Sequence, residues 1–92
     1  MDFKKYGKNH YNIDYKNDNI NFFLDDNGRN FKSIKGNINA KIIEILRNYG
    51  FIDIYDSLFI YNNKRISIDA SIKDNEIREG GTIIMINGII FN

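Results

Sequence analysis

Residues 71–86 read SIKDNEIREGGTIIMI. The pair Gly80-Gly81 admits three meanings: the working end of a conjugated protein, a loop that cradles phosphate, or a turn into a strand. The phosphate loop fails on chemistry. REGG leads into an apolar, β-branched run, so no helix N-terminus follows to receive an anion, and the GxxxxGK[ST] spacing is absent. Thr82–Ile86 has the composition of a buried strand, and glycine ahead of it supplies the backbone angles that a sharp corner needs. The pair is expected to be a corner.

Upstream of this stretch, Asn62-Asn63 separates the strand-like LFIY from a short KRIS strand. FIDIYDS before it is irregular. NINAKIIEILRNYG places Ile38, Ile42, Ile45, Leu46 and Tyr49 at helical spacing, with Asn37 or Asn39 as the N-cap and Gly50 as the left-handed stop. INFFLDDNGRNFKSI carries Asn27-Gly28 between two strand-like runs, a strong hairpin signal because a tight turn needs positive φ at both central residues. A two-residue turn puts Phe22 and Leu24 on one face, pairs Leu24 with Phe31 and leaves Ile34 on the opposite face. A bulge near Ser33 would return Ile34 to the core. The expected order is hairpin, helix, strand, short strand, loop, strand. This is an α+β chain whose helix packs across one face of a mixed sheet, the layout of the β-grasp.

The run LFIYNNKRISIDASIKDNEIREGGTIIMI also resembles the second half of a ubiquitin-like domain, without a gap. That family shows an apolar strand, a Gly-Lys-type turn, a Leu, a Thr-Leu-x-Asp-x-x-Ile segment and a Thr-led final strand. Here these are Phe59–Tyr61, Asn63-Lys64, Ile66, Ser71–Ile77 and Thr82–Ile86. The resemblance covers residues 20–86. Within it, Ser71 can close a local turn through its hydroxyl, Asp74 can cap the short helical turn, and Ile72 and Ile77 can plug the end of the core. The resemblance implies a ubiquitin-like domain over residues 19–87, between an N-terminal arm, flexible or docking, at 1–18 and an apolar extension at 88–92. A modifier's diglycine must lie beyond the last strand. Cleavage after Gly81 would delete that strand, and the chain ends GIIFN, so a non-conjugating domain is expected. Asn75 replaces the family's Tyr, Glu79 stands at one linkage-lysine position, and Lys64 matches a family lysine.

Composition narrows the function classes. Ninety-two residues make one domain. Cysteine is absent, which removes disulfides, thiol nucleophiles and zinc thiolates, and favours an intracellular, cytoplasmic setting. The net charge of +1 gives no overall steering toward nucleic acid or membrane. Roughly a third of the chain is Ile or Asn, a bias that fits A/T-rich codons. No apolar run approaches the ~20 residues of a membrane span. The only histidine, His10, has no nucleophile or second ligand near it. Asp25-Asp26 flanks a hairpin turn, and Asp53, Asp56, Asp69, Asp74, Glu76 and Glu79 lack calcium-loop spacing. No enzyme, cofactor, metal or small-molecule substrate is expected.

Binding remains. Strand alternation turns Phe59, Tyr61, Ile83 and Met85 inward and Leu58, Ile60, Ile84 and Ile86 outward. The resemblance places Ile60, Ile84 and Ile86 where ubiquitin-like domains build their apolar recognition patch. A charge at Ile60 is expected to abolish partner binding and spare the fold. Ile89, Ile90 and Phe91 are apolar and are expected to fold back as an added strand or to insert into a partner. The leading expectation is a non-covalent protein-binding module, a small subunit or adaptor. The alternatives are an RNA-binding component and a relative of the covalent modifiers. The RNA reading rests on Lys4, Lys5, Tyr6, Lys8 and Tyr11, which interleave charge and aromatic rings, although Asp2, Asp14 and Asp18 dilute the charge.

Overall fold

A computed structural model of the chain describes residues 13–52 and 54–86. Five strands, β1 (Asn19–Asp25), β2 (Phe31–Asn37), β3 (Leu58–Tyr61), β4 (Lys64–Arg65) and β5 (Thr82–Ile86), form one sheet in the order β2-β1-β5-β3-β4. β1 and β5 run parallel, and the other neighbours are antiparallel. The helix α1 (Ile42–Asn48) packs across one face. This is a small α+β fold with a mixed sheet, and its last strand lies at the centre.

The hairpin turns at Asn27 (φ 49°) and Gly28 (φ 81°), as the Asn-Gly signal predicts. The register differs from a plain two-residue turn. Arg29 N–H donates to Asp26 O (2.9 Å) and Asp26 N–H to Asn30 O (2.7 Å), so Arg29 and Asn30 both face Asp26. That extra residue pairs Asp25 with Phe31 and Phe22 with Ile34. Ile34 is therefore buried with no bulge at Ser33, and Phe31 lies on the face away from the core. A one-residue shift reverses every side chain of a strand, and burial of Ile34 beside Phe22 selects this register.

The helix begins later and is capped differently than its sequence predicts. Asn37 Oδ1 accepts from Asn39 N–H (2.8 Å), but this closes the turn that precedes the helix and carries Ile38. The first helical N–H groups instead donate to a distant segment: Ile42 to Ala70 O (3.0 Å) and Ile43 to Ile68 O (2.9 Å). Orphan donors at a helix start need partners, and here other backbone supplies them. At the far end the expectation holds. Gly50 has φ 94°, with Gly50 N–H on Arg47 O and Phe51 N–H on Leu46 O, the paired bonds of a Schellman motif. Tyr49, predicted on the apolar face, is exposed, and its hydroxyl accepts from Lys35 N–H (2.9 Å) on the edge strand.

Ile20, Phe22 and Leu24 of β1, Phe59 and Tyr61 of β3, and Ile83 and Met85 of β5 meet Ile42, Ile45 and Leu46 of the helix in the core. Fully burying one such side chain is worth ~1.5–3 kcal/mol. Residues 71–77 close its end, with Ile72 and Ile77 both fully buried. The Ser71 hydroxyl accepts from Asp74 N–H (2.9 Å), so Ser71 caps this turn rather than Asp74. Asn75 clamps the segment. Its Nδ2 donates to Ser67 O (2.7 Å) and Ser71 O (3.0 Å), and its Oδ1 accepts from Ser67 N–H (3.2 Å).

The diglycine is a corner. Gly81 N–H closes a turn on Arg78 O (2.9 Å) with Gly80 at φ 80°, which favours glycine. Gly80 N–H donates to Asn21 O (2.7 Å), and Gly81 O accepts from Phe23 N–H (2.8 Å), which feeds the chain into β5 alongside β1. Cleavage after Gly81 would release the central strand.

Candidate protein-binding face

The helix covers one face of the sheet, and pairing places one row of residues across all five strands of the other. Asp25 opposes Phe31 on one side and Ile84 on the other, Ile84 opposes Ile60, and Ile60 opposes Arg65. Residues so paired share a face, so the row from β2 to β4 reads Phe31, Asp25, Ile84, Ile60, Arg65. A second row begins at Phe23, which opposes Thr82, and a third pairs Ile86 with Leu58. Phe23 stacks on Phe31 with centroids 5.0 Å apart and planes 19° from parallel. Phe31 is 61% exposed and Ile84 38%.

Ile60, Ile84 and Ile86 therefore do come together, on adjacent strands and pointing away from the helix, as strand alternation predicts. The patch is larger than they suggest. Phe23 and Phe31 extend it to the hairpin, and Leu58 extends it along β3. Phe23 was recoverable from the inward alternation of Phe22 and Leu24. Phe31 was not, because a two-residue turn assigns it to the core. Ile60 and Ile86 are half-buried, which leaves Ile84 the most accessible of the three isoleucines.

The row carries one charge of each sign, and Lys35, opposite Asn21, shares the face. Asp25 stands at the hairpin side and Arg65 at the opposite side, with Ile84 and Ile60 between them. Asp25 Oδ1 accepts from Gly28 N–H (2.7 Å), a bond that orients the carboxylate at the rim of the turn.

Lys4, Lys5, Tyr6, Lys8 and Tyr11 lie outside the described residues, as do Ile89, Ile90 and Phe91. Part of the segment read as an arm is placed against the body. Tyr15 Oη donates to Ile77 O (2.7 Å), its ring packs on the core, and Ile38 N–H donates to Asp18 O (2.8 Å). Burial, helped by the neighbouring Tyr61 and Glu76, raises the Tyr15 pKa above its ordinary 10.0. Glu79 accepts Asn21 N–H through Oε1 (3.1 Å).

Among the described residues there is no cluster of three or more His, Cys, Asp or Glu able to hold a metal ion. No helix among them is long and apolar enough to cross a membrane. A cleft of about 380 Å³ beside β4 is lined by Tyr55, Ser57, Phe59, Arg65 and Asp69, with Tyr55 Oη donating to Asp69 Oδ1 (3.2 Å). No protein-family model matches the chain, and no curated protein matches it either.

Proposed function

We propose that the chain is a divergent, non-conjugating ubiquitin-like β-grasp domain that binds proteins non-covalently, as a small subunit or adaptor of a larger assembly. The strand order β2-β1-β5-β3-β4 with one helix across the sheet supports the fold reading. The observation that carries the function is the open sheet face, where Ile84 is exposed among Ile60, Ile86 and Leu58, and Phe31 is exposed on Phe23 across Asp25. Scattered exposed apolar residues need no explanation, but a contiguous patch on a sheet favours an interface. A corner at Gly80-Gly81, immediately ahead of the central strand β5, argues against its use as a conjugation end.

Ile84→Asp tests this. Ile84 is 38% exposed but sits in the central strand opposite Asp25, so the substitution should cost ~1–2 kcal/mol, and far-UV circular dichroism must show the variant folded. In native purifications from cells expressing tagged full-length chain, the partners held by the unaltered chain should be missing from the Ile84→Asp sample. An unchanged partner set would remove the face from the function. Partners that survive a denaturing wash would mean covalent attachment and would overturn the non-conjugating reading.

A further inference from the structure

We propose that the open sheet face binds a second copy of the same chain, as a weak two-fold dimer. This rests on the reading of that face as a protein-binding surface and names its partner. The outer row runs Phe31, Asp25, Ile84, Ile60, Arg65, one residue from each of five adjacent strands. Two sheets packed face to face can be related by a two-fold axis parallel to their strands. Such an axis reverses the order of the row. With the axis between Ile84 and Ile60, Ile84 of one copy meets Ile60 of the other, and Asp25 of each meets Arg65 of its partner. Both charges of the row are then satisfied at once, and Phe31 reaches past the partner's Arg65, whose guanidinium can lie against the ring. An axis across the strands would instead set each residue against its own copy, Asp25 against Asp25, which opposes like charges. Of these two axes, charge favours the one parallel to the strands.

The geometry also bounds the affinity. Four strand spacings of ~4.8 Å and four residue rises of ~3.3 Å give a footprint of roughly 19 by 13 Å, which is below the ~800 Å² per partner of a standard interface. The dimer is therefore weak, and the assay must span roughly 10 μM to 1 mM chain.

The test uses the full chain and sedimentation or light scattering, with far-UV circular dichroism as a check that each variant is folded. Asp25→Lys sets two positive charges together at both contacts, and Arg65→Glu sets two negative ones. Each should weaken self-association by about tenfold or more. An equimolar mixture of the two should associate again, because every contact in the mixed dimer then carries opposite charges. Asp25→Lys also removes the carboxylate held by Gly28 N–H. Asp25→Asn therefore serves as a second variant: it keeps an acceptor for that N–H, loses the charge, and should weaken the dimer without unfolding the hairpin. A monomeric wild-type chain at 1 mM, single variants that associate like wild type, or a mixture of folded variants that stays monomeric would each overturn the proposal. A monomeric chain whose partner capture still depends on Ile84 would overturn the dimer alone. Partner capture indifferent to Ile84 would overturn the binding-face reading, whatever the oligomeric state.

Discussion

Gly81→Ala separates a structural corner from an idle diglycine. A Cβ on Gly81 would lie 2.7 Å from Tyr61 Cε1, 2.8 Å from Tyr61 Oη and 3.1 Å from Arg78 O. Carbon atoms pack best at ~3.5–4.0 Å, so something must move. The Arg78 carbonyl is tied into the turn by Gly81 N–H, and Tyr61 is 8% exposed with Oη accepting from Arg78 N–H (3.1 Å). Overpacking of this kind costs ~1–3 kcal/mol. Displacing the Tyr61 hydroxyl forfeits a further ~1 kcal/mol. Alanine restricts the unfolded chain and returns only ~0.4–1 kcal/mol. The net loss is about 2 kcal/mol, or a Tm lower by roughly 8–16 °C for a domain of this size. At Gly80 no atom lies within 4 Å, but φ is 80°. Gly80→Ala therefore pays only the left-handed penalty of ~1–2 kcal/mol, less the same gain in the unfolded chain. Urea unfolding followed by far-UV circular dichroism, with m unchanged, measures both. Adding Tyr61→Phe to Gly81→Ala should cost less than Tyr61→Phe alone, since it removes one of the crowded atoms. Gly81→Ala within ~0.5 kcal/mol of wild type, or milder than Gly80→Ala, would refute the tight corner.

Two further predictions concern the helix contact and the N-terminal segment. A Cβ on Gly36 would lie 2.5 Å from Ile45 Cδ1 and 3.1 Å from both Cγ atoms. Gly36→Ala should destabilise by ~1–3 kcal/mol, and Ile45→Val, which deletes Cδ1, should recover part of that in a double-mutant cycle; additive losses would exclude the contact. Tyr15→Phe should cost ~0.5–1.5 kcal/mol at neutral pH through its lost bond to Ile77 O. Because the folded pKa of Tyr15 is raised, its contribution is complete below pH 10 and is lost as pH rises through the folded value. The urea midpoint of wild type should therefore fall above pH 10, and Tyr15→Phe should fall less steeply; equal slopes would rule out Tyr15 as the source.

The local features of this protein were legible in its sequence. The Gly50 helix stop, the Asn27-Gly28 turn, the Gly80-Gly81 corner and the inward alternation of β3 and β5 each depend on a few adjacent residues, whose backbone limits and side-chain period act at short range. The order of elements along the chain was also accessible, because they follow one another with distinct periods. What depends on distant segments was not. The extra residue in the hairpin goes to Arg29–Asn30 rather than Ser33; either placement buries Ile34, but this one pairs Phe31 with Asp25 and turns it away from the core. The helix takes its first caps from Ile68 and Ala70, and Tyr49 is spent on the β2 edge, both through contacts formed only when the sheet and helix are assembled. The row Phe31, Asp25, Ile84, Ile60, Arg65 draws on five strands spread from residue 25 to residue 84, and its charge pattern appears only when pairing brings them side by side. Periodicity assigns each strand its two faces. Strand order and register, selected by burial of the shared core, decide which residues meet on them.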